Sequence, residues 1–256
     1  MFFRHCLSIL FFCLYANCVN AKGELTDNIK IDSKVLNYKL QYRVYVPDNV
    51  DTSTPLPTIF ITDGQWYIQK SGIIDTLNAL IKNKKIRPVI AVFIDSRNPE
   101  QLSINRRNDE FQCNKDYVLF YLKELIPEIE RNYAVSKQPK DRVIAGLSFG
   151  GLNAACFGLM ASDHFSGIAM QSPANSEHLK LLNSLYGKTE KLALNIFFSI
   201  GTKNDNTKAA RKFHRTLLKK KYKINYIEVP FGHNWKNWRP LVDNLLLTFF
   251  AEPPQG

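Results

Sequence analysis

The residues that most clearly suggest chemistry form the pentapeptide GLSFG, which runs from Gly146 to Gly150. A serine nucleophile on a sharp turn between a strand and a helix needs small flanking residues, because larger side chains would collide with the turn. The context fits, since an apolar run at 142–145 precedes the motif and a helical run at 148–160 follows it. The alternative is a glycine-rich turn with Ser148 as a helix cap. The strand-turn-helix context favours Ser148 as a nucleophile, at a helix N-terminus that stabilises negative charge.

A serine nucleophile needs a general base, and His233 is the best placed of the five histidines. It follows the predicted strand 224–229, at the sheet edge where the nucleophile must also lie. The others occupy the N-terminal leader, helical patterns or a helix end: His5, His178, His214 and His164. We therefore predict His233 as the base.

The third member of the site should be a carboxylate that holds the histidine ring in the correct tautomer. Asp205 follows the predicted strand 193–200 and is our candidate, although it could also be only a helix cap. Glu228 lies inside a strand and Glu190 precedes one, so both are poorly placed. The chain order Ser, Asp, His is that of the α/β-hydrolases.

Acyl transfer also needs two N–H donors directed at the oxygen that becomes negative. The first is the backbone N–H of Phe149, directly after the nucleophile. The second is expected from the segment Asp63 to Trp66, which follows an early strand, and Gln65 is the preferred donor. Taken alone, this segment is more typical of an ordinary Asp-Gly turn than of an oxyanion donor.

The elements that position these residues alternate between strand and helix. We predict a half-exposed strand at 38–46 from its alternating apolar and polar residues. Further strands are predicted at 58–62, 89–94, 142–145, 166–170, 193–200 and 224–229, and helices at 66–82, 116–132, 148–160, 206–220 and 235–250. Because such alternation implies crossover connections, we expect an α/β-hydrolase fold, with a mostly parallel central sheet and helices on both faces in a three-layer sandwich.

Residues 1–21 have the features of a signal peptide. Arg4 precedes an almost wholly apolar run at 7–16, and small residues close the segment at 19–21. The apolar run is shorter than the roughly 18 residues that span a bilayer, so we favour cleavage over a retained anchor. We expect an exported protein, in the periplasm or the medium, with residues 22–256 forming a single domain.

Three of the five cysteines lie in that leader, which leaves Cys113 and Cys156. Two cysteines do not make a disulfide framework, and Cys156 in a helical stretch is typical of a small buried apolar residue. Whether these two cysteines pair is left open.

The formal net charge of +11 favours anionic partners. Lysine-rich runs such as 82–85 and 219–221 lie at predicted helix ends, where cations complement the helix dipole, and no nucleic-acid-binding motif accompanies them. We therefore expect a small-molecule ester partner, anionic in character, and no nucleic acid. We also expect no membrane span in residues 22–256. The oligomeric state is left open.

Four patches resemble the esterase branch of the α/β-hydrolases and, within it, the enterochelin (catecholate siderophore) esterases. The patches are DGQW at 63–66, RNDEFQCN at 107–114, GLSFGG at 146–151, and GHNW at 232–235 together with Trp238 and Arg239. They span nearly all of the chain after the leader. The sequence departs from the resemblance at Asn234, where many relatives carry Asp. We also expect no counterpart of the extra N-terminal domain of the larger cytoplasmic siderophore esterases.

The resemblance implies Ser148 and His233 as catalytic residues, with backbone donors at Gln65 and Phe149. It also places Arg107 near the substrate, together with Glu110. Trp66 and Trp235, which lie beside the predicted catalytic loops, are candidate contacts for a ring-bearing ester, although tryptophans there are equally typical of rim packing. Arg107 would bind an anionic ligand while Glu110 orients it. The alternative for this pair is a surface ion pair that contributes little.

We expect a two-step acyl transfer in which His233 deprotonates Ser148, Ser148 attacks an ester carbonyl and water releases the acyl group. This chemistry needs no metal ion and no cofactor. The resemblance implies the ester backbone of a catecholate siderophore as substrate. The alternatives left open are a carbohydrate esterase that releases feruloyl or acetyl groups, an acyltransferase, and a non-catalytic binder of anionic ligands on a hydrolase scaffold.

Overall fold

Strands with nearly continuous apolar sequences form the centre of the molecule. The computed structural model describes residues 22–48, 50 and 53–252, and the predicted signal peptide lies outside them. The strands in this part of the chain are β1 Glu24–Leu25, β2 Ile29–Ser33, β3 Tyr38–Val46, β4 Thr58–Ile61, β5 Ile90–Asp95, β6 Arg97–Asn98, β7 Gln101–Asn105, β8 Arg142–Leu147, β9 Gly167–Gln171, β10 Asn195–Gly201 and β11 Lys223–Val229.

Nine of these described strands form one sheet in the order β1-β3-β5-β4-β8-β9-β10-β11, with β2 also paired to β3. The six strands from β5 to β11 along this order run parallel, whereas β3 is antiparallel to β5. Every residue of β4, β5 and β8 is buried, as expected for parallel strands that are covered on both faces. Strands β6 and β7 form a separate hairpin.

Helices cover both faces of the sheet. Ile59 of β4 packs on one face with Leu77 and Leu245, whereas its neighbour Phe60 packs on the other face with Phe157. The α-helices in the described residues are α1 Gly64–Trp66, α2 Ile73–Lys82, α3 Arg107–Glu110, α4 Lys115–Phe120, α5 Ile126–Asn132, α6 Phe149–Met160, α7 Ser176–Lys188, α8 Thr207–Lys219, α9 Trp235–Trp238 and α10 Val242–Phe250. The predicted architecture of a mostly parallel sheet between two helical layers is confirmed.

The structure differs from the predicted elements in two places near the sheet edge that carries Ser148. The predicted helix 66–82 is interrupted: α1 continues into a π-helical turn, Tyr67–Ser71, and the chain then bends at Gly72. Gly72 has φ 72°, a left-handed conformation that glycine adopts without a steric penalty. Helix α7 was not among the predicted elements. Its signal was the cap residue Asn175, whose side chain accepts hydrogen bonds from two backbone N–H groups of the first turn.

Cys113 and Cys156 form a disulfide, which answers the question that the sequence left open. Their Cα atoms are 5.1 Å apart, and the bond joins the segment before α4 to the middle of α6. The helix that begins just after Ser148 is thereby tied covalently to the segment that contains Arg107. Of the helices in the described residues, none combines the length and the apolarity that crossing a bilayer requires.

Reduction of this disulfide should lower the free energy of unfolding. The bond joins residues separated by 43 positions, and closing a loop of that length removes enough unfolded-state entropy to stabilise the fold by about 4 kcal/mol. Urea unfolding of the wild type with and without reductant measures the loss. The double variant Cys113→Ala/Cys156→Ala should match the reduced wild type and be insensitive to reductant. Equal stability of the oxidised and reduced wild type would contradict the prediction.

Candidate active site

Ser148 occupies the turn between β8 and α6 in a strained backbone conformation. Its φ of 54° and ψ of −121° lie in a region that L-residues adopt only when their surroundings impose it. The surroundings do so here, because the Ser148 N–H donates to the Gln171 carbonyl at 2.9 Å and the Ser148 carbonyl accepts from the N–H groups of Leu152 and Ala174. The turn therefore presents the Ser148 hydroxyl beyond the carboxyl ends of the parallel strands.

The two glycines of the motif are required by close packing. A Cβ atom on Gly146 would lie 2.4 Å from the carbonyl group of Gly150, and one on Gly150 would lie 2.6 Å from Thr62 Oγ1. No side chain fits at these distances. The turn of β8 thus packs directly against the end of β4.

The structure brings the three predicted side chains together in one hydrogen-bonded chain. His233 Nε2 lies 2.8 Å from Ser148 Oγ, and His233 Nδ1 lies 3.0 Å from Asp205 Oδ1. With the Nδ1 proton donated to Asp205, Nε2 is the atom able to accept the serine proton. This geometry is suited to nucleophilic acyl transfer.

Asp205 is held as a carboxylate. Burial alone raises its pKa, but hydrogen bonds from His233, Ser172 and the backbone N–H groups of Gly201 and Asn206 outweigh that effect and keep the pKa below its ordinary value. Its Oδ2 accepts from Ser172 Oγ at 2.7 Å and from the Gly201 N–H at 3.0 Å, while Oδ1 accepts from the Asn206 N–H at 2.9 Å. An ionised Asp205 can stabilise the imidazolium that forms when His233 takes up a proton.

Ser172 supports Asp205, although it was not among the predicted site residues. It directly follows β9, is fully buried and has φ 45°, a strained value. Its hydroxyl donates to Asp205 and accepts from Trp238 Nε1 at 2.9 Å and from Asn237 Nδ2 at 3.1 Å. The only signal for Ser172 in the sequence was its position at the carboxyl end of a predicted strand.

The two predicted backbone donors lie at helix N-termini that follow neighbouring strands. Phe149 is the first residue of α6, after β8, and Gln65 is the second residue of α1, after β4. The first N–H groups of a helix have no intrahelical acceptor and can serve a ligand. Asp63, which caps α1, has φ 55°, so this loop also contains a strained residue.

Arg107 and Glu110 do not interact as predicted. The Arg107 guanidinium binds Asp63 in a bidentate pair, Nε to Oδ1 at 2.9 Å and Nη2 to Oδ2 at 2.7 Å. Glu110 is fully buried and accepts from the Tyr38 hydroxyl at 2.9 Å, because the single turn of α3 directs it into the core. Burial raises the pKa of Glu110 to about 7. The predictions that Glu110 orients Arg107 and contacts the substrate are therefore wrong, and Arg107 is not part of a surface ion pair.

A cleft of about 320 Å³ opens beside Ser148 and His233. The Lys70 ammonium lies 4.8 Å from the centre of the Trp66 ring, and the Trp235 and Trp238 rings meet edge to face at 5.5 Å. The lining residues are Asp63, Trp66, Lys70, Arg107, Leu147, Ser148, His233, Trp235 and Trp238. The predicted contact residues Trp66, Trp235 and Arg107 thus share one aromatic and cationic cleft, to which the structure adds Lys70.

Two other features bear on the location of the site. A larger cavity of about 530 Å³ lies beyond the amino ends of the parallel strands, and neither serine nor histidine lines it. Within residues 22–48, 50 and 53–252, no group of three His, Cys, Asp or Glu side chains is arranged to bind a metal ion. Among the described residues, the assembled Ser148, His233 and Asp205 are the best candidate for chemistry.

A parallel sheet with a strained serine at a strand-to-helix turn and a histidine after the last strand is the arrangement of an α/β-hydrolase fold, which similar solved structures share. The chain matches the family described as "Putative esterase" over residues 33–249 and belongs to it. The resemblance noted in the sequence, including its likeness to enterochelin esterases, is thereby confirmed.

Similar proteins include an iron(III) enterobactin esterase of Escherichia coli O6:H1, 27% identical over 73% of this chain and 48% of the relative. The chain thus spans about half the length of that relative. The uncharacterized protein YjcH of Bacillus subtilis is 25% identical over 83% of this chain and 92% of its own length. In structure, the ferric enterobactin esterase of Salmonella typhimurium has a TM-score of 0.77 at 21% identity, covering 88% of this chain and 58% of that one. A ferulic acid esterase structure has a TM-score of 0.73 at 17% identity, and the match covers 90% of this chain and 98% of that one.

Removing the Ser172 hydroxyl should slow ester hydrolysis without weakening substrate binding, because Asp205 loses a fixed donor. We expect Ser172→Ala and Ser172→Gly to lower kcat on p-nitrophenyl acetate by roughly tenfold, with KM unchanged. The glycine variant relieves the strain at φ 45°, so its melting temperature should not fall below that of the alanine variant.

The matched control for this prediction is Ser199→Ala on β10, which removes a buried hydroxyl that has no hydrogen-bond partner among the described residues. This control should retain kcat. A wild-type kcat in both Ser172 variants would contradict the role assigned to Ser172.

Proposed function

We propose that this protein is an exported serine esterase that hydrolyses carboxylic esters through Ser148, His233 and Asp205. The observation that carries the proposal is the unbroken chain of hydrogen bonds from Ser148 Oγ through the His233 ring to the Asp205 carboxylate. Membership of an esterase family supports the same reaction class.

In the first step His233 Nε2 takes the proton from Ser148 Oγ, which attacks the ester carbonyl carbon. The carbonyl oxygen becomes negative and is stabilised by the N–H groups of Phe149 and Gln65. As the tetrahedral intermediate collapses, His233 gives its proton to the departing alkoxide and the acyl group remains on Ser148. In the second step His233 deprotonates a water molecule, whose attack releases the carboxylic acid and restores the serine.

The substrate that best fits the cleft is an ester that carries aromatic rings and negative charge, such as the ester backbone of a catecholate siderophore. Indole rings of Trp66 and Trp235 offer flat apolar surface, and Lys70 adds a cation beside them. The similarity to iron(III) enterobactin esterases supports this substrate class.

A second candidate is a carbohydrate esterase that releases feruloyl groups, since a ferulate also carries an aromatic ring. The observation in its favour is the similarity in fold to a ferulic acid esterase structure, with a TM-score of 0.73. An acyltransferase would use the same Ser148 chemistry with an alcohol in place of water.

Export is supported by the Cys113–Cys156 disulfide, because such bonds persist in oxidising compartments and are rare in the cytosol. The signal-peptide features of residues 1–21 agree with it. We therefore propose that the protein acts outside the cytoplasm on esters present there.

The nucleophile is tested by replacing Ser148. Ser148→Ala should lower kcat on p-nitrophenyl acetate by at least about 1,000-fold, because the covalent step is lost. A fluorophosphonate probe should label the tryptic peptide that contains Ser148 in the wild type, as seen by mass spectrometry. The control Ser184→Ala, an exposed serine on α7, should keep both activity and labelling. Full turnover by Ser148→Ala would rule out Ser148 as the nucleophile.

The substrate is tested with ferric enterobactin, iron-free enterobactin and a feruloylated arabinose, with products followed by mass spectrometry. We expect the enterobactin ring to be opened to linear dihydroxybenzoylserine esters, with Ser148→Ala as the inactive control. Release of ferulate alone would support the carbohydrate esterase instead. Transfer of the acyl group to an added alcohol at the expense of hydrolysis would indicate an acyltransferase, and binding without any product would indicate a binding protein.

A further inference from the structure

A second pocket adjoins Ser148, separate from the aromatic cleft. Its volume is about 290 Å³, and it shares only Ser148 and His233 with that cleft. The segments after β9 and β10 build it, whereas Trp66 of the cleft follows β4, on the other side of β8. The lining residues are Ser148, Phe149, Ala174, Asn175, Asn206 and His233. No Asp, Glu, Lys, Arg or Trp of the described residues lines it, so the two pockets meet at the reacting atoms but differ in chemistry.

The wall formed by Ala174 and Asn206 is fixed to the catalytic residues. Ala174 has φ 47°, a strained value, and its N–H donates to the Ser148 carbonyl at 2.8 Å. The Ala174 carbonyl accepts from Asn206 Nδ2 at 3.2 Å. The backbone N–H of Asn206 in turn donates to Asp205 Oδ1 at 2.9 Å. The second pocket therefore keeps a fixed position relative to the reacting atoms.

Each asparagine amide in the second pocket has one atom bound by the protein and one atom left over. Asn175 Oδ1 accepts from two backbone N–H groups of the first turn of α7, at 3.0 and 3.1 Å, while its Nδ2 has no acceptor within residues 22–48, 50 and 53–252. Asn206 is the reverse, because its Nδ2 is bound to Ala174 while its Oδ1 has no donor in the same part of the chain. The pocket thus offers one N–H donor and one carbonyl acceptor whose orientations are already set.

Ester hydrolysis at Ser148 needs room for two groups besides the oxyanion. The tetrahedral intermediate carries the acyl group on one side and the alcohol on the other. With the aromatic, negatively charged acyl portion of the proposed substrate in the cleft of Trp66 and Lys70, the second pocket is the space left for the alcohol. Its His233 wall is also where the departing alkoxide must obtain a proton.

A hydroxyl or amide group on the alcohol matches the two free atoms of the second pocket. Such a group both donates and accepts hydrogen bonds, whereas a charged group would find no counter-ion among the lining residues. Hydrogen bonds made there replace bonds to water, so each gives a modest preference rather than tight binding. Both proposed substrates have such an alcohol: an N-acylated serine in the siderophore and a sugar in the feruloylated carbohydrate.

We infer that the second pocket is the subsite for the alcohol portion of the ester and that it selects neutral alcohols bearing a hydroxyl or amide group near the ester oxygen. The inference rests on the proposed serine esterase function. It deepens that function by assigning the acyl and alcohol portions of the substrate to different sides of Ser148.

The test compares two esters of one acid, glyceryl ferulate and methyl ferulate, whose alcohols have or lack free hydroxyls. We expect the wild type to have a kcat/KM roughly fivefold to tenfold higher for the glyceryl ester. Asn175→Ser removes the free donor but keeps a cap residue for α7, and Asn206→Leu removes the free acceptor. Each variant should lower the ratio of the two kcat/KM values by at least about twofold, and the double variant should bring it close to 1. Effects on chemistry common to both esters cancel in this ratio.

Two further variants separate the second pocket from the cleft. Trp66→Ala should lower kcat/KM for both esters while the ratio stays as in the wild type, because the acyl group is the same. The matched control Asn83→Ser changes an exposed asparagine at the end of α2 and should alter neither kcat/KM value. A wild type with no preference for the glyceryl ester would overturn the inference. So would a double variant that keeps the wild-type ratio, or a Trp66→Ala variant that loses it.

A second measurement decides the matter if neither ferulate ester is cleaved. An alcohol that attacks the acyl-enzyme must occupy the subsite from which an alcohol leaves. With p-nitrophenyl acetate as acyl donor, and glycerol and methanol added at equal hydroxyl concentration, the wild type should form more glyceryl acetate than methyl acetate, both as minor products beside acetate. The double variant should lose this excess, and equal yields in the wild type would overturn the inference.

Failure of this inference and failure of the proposed function give different results. If the second pocket does not bind the alcohol, the ratios above change while Ser148→Ala is still inactive. If Ser148→Ala retained turnover on p-nitrophenyl acetate, the proposed function itself would fail, whatever the ratios.

Discussion

The strained backbone of Ser148 is the constraint on which the rest of the site depends. A residue with φ 54° at the end of β8 turns its side chain out of the sheet, and it does so only because Gly146 and Gly150 allow the turn to pack against Thr62. The same packing fixes α6 directly behind the serine, and the disulfide to Cys113 holds that helix in place. His233 and Asp205 then need only short loops after β11 and β10 to reach the hydroxyl.

Three buried carboxyl groups near this edge of the sheet have differently shifted pKa values because their surroundings differ. Asp205 accepts hydrogen bonds from His233, Ser172 and the backbone N–H groups of Gly201 and Asn206, which keep its pKa low and its charge available to His233. For Asp63, burial raises the pKa while Arg107 opposes that effect and pairs with the carboxylate. For Glu110, burial is the largest influence on the pKa and raises it to about 7. The environment, rather than residue type, decides which carboxyl group can assist catalysis.

The sequence allowed the fold class and the meeting of Ser148, His233 and Asp205 to be predicted, because each residue follows a strand and parallel strands end at one edge. It did not reveal Ser172, whose partners Trp238 and Asn237 lie more than sixty positions away in the chain. The prediction for Glu110 was wrong because the single turn of α3 directs the Glu110 side chain, rather than that of Arg107, into the core. Pairings between loops, such as Arg107 with Asp63, depend on three-dimensional packing that local patterns do not encode.

We propose that Ser148 is a nucleophile and that the N–H groups of Gln65 and Phe149 stabilise the oxyanion formed when it attacks an ester carbonyl. The most direct measurement is a crystal structure of the protein after reaction with a fluorophosphonate, which mimics the tetrahedral intermediate. We expect a covalent bond from Ser148 Oγ to phosphorus, with the phosphonyl oxygen within about 3.2 Å of both backbone nitrogens. A phosphonyl oxygen turned away from both N–H groups, or a probe attached to another residue, would contradict it.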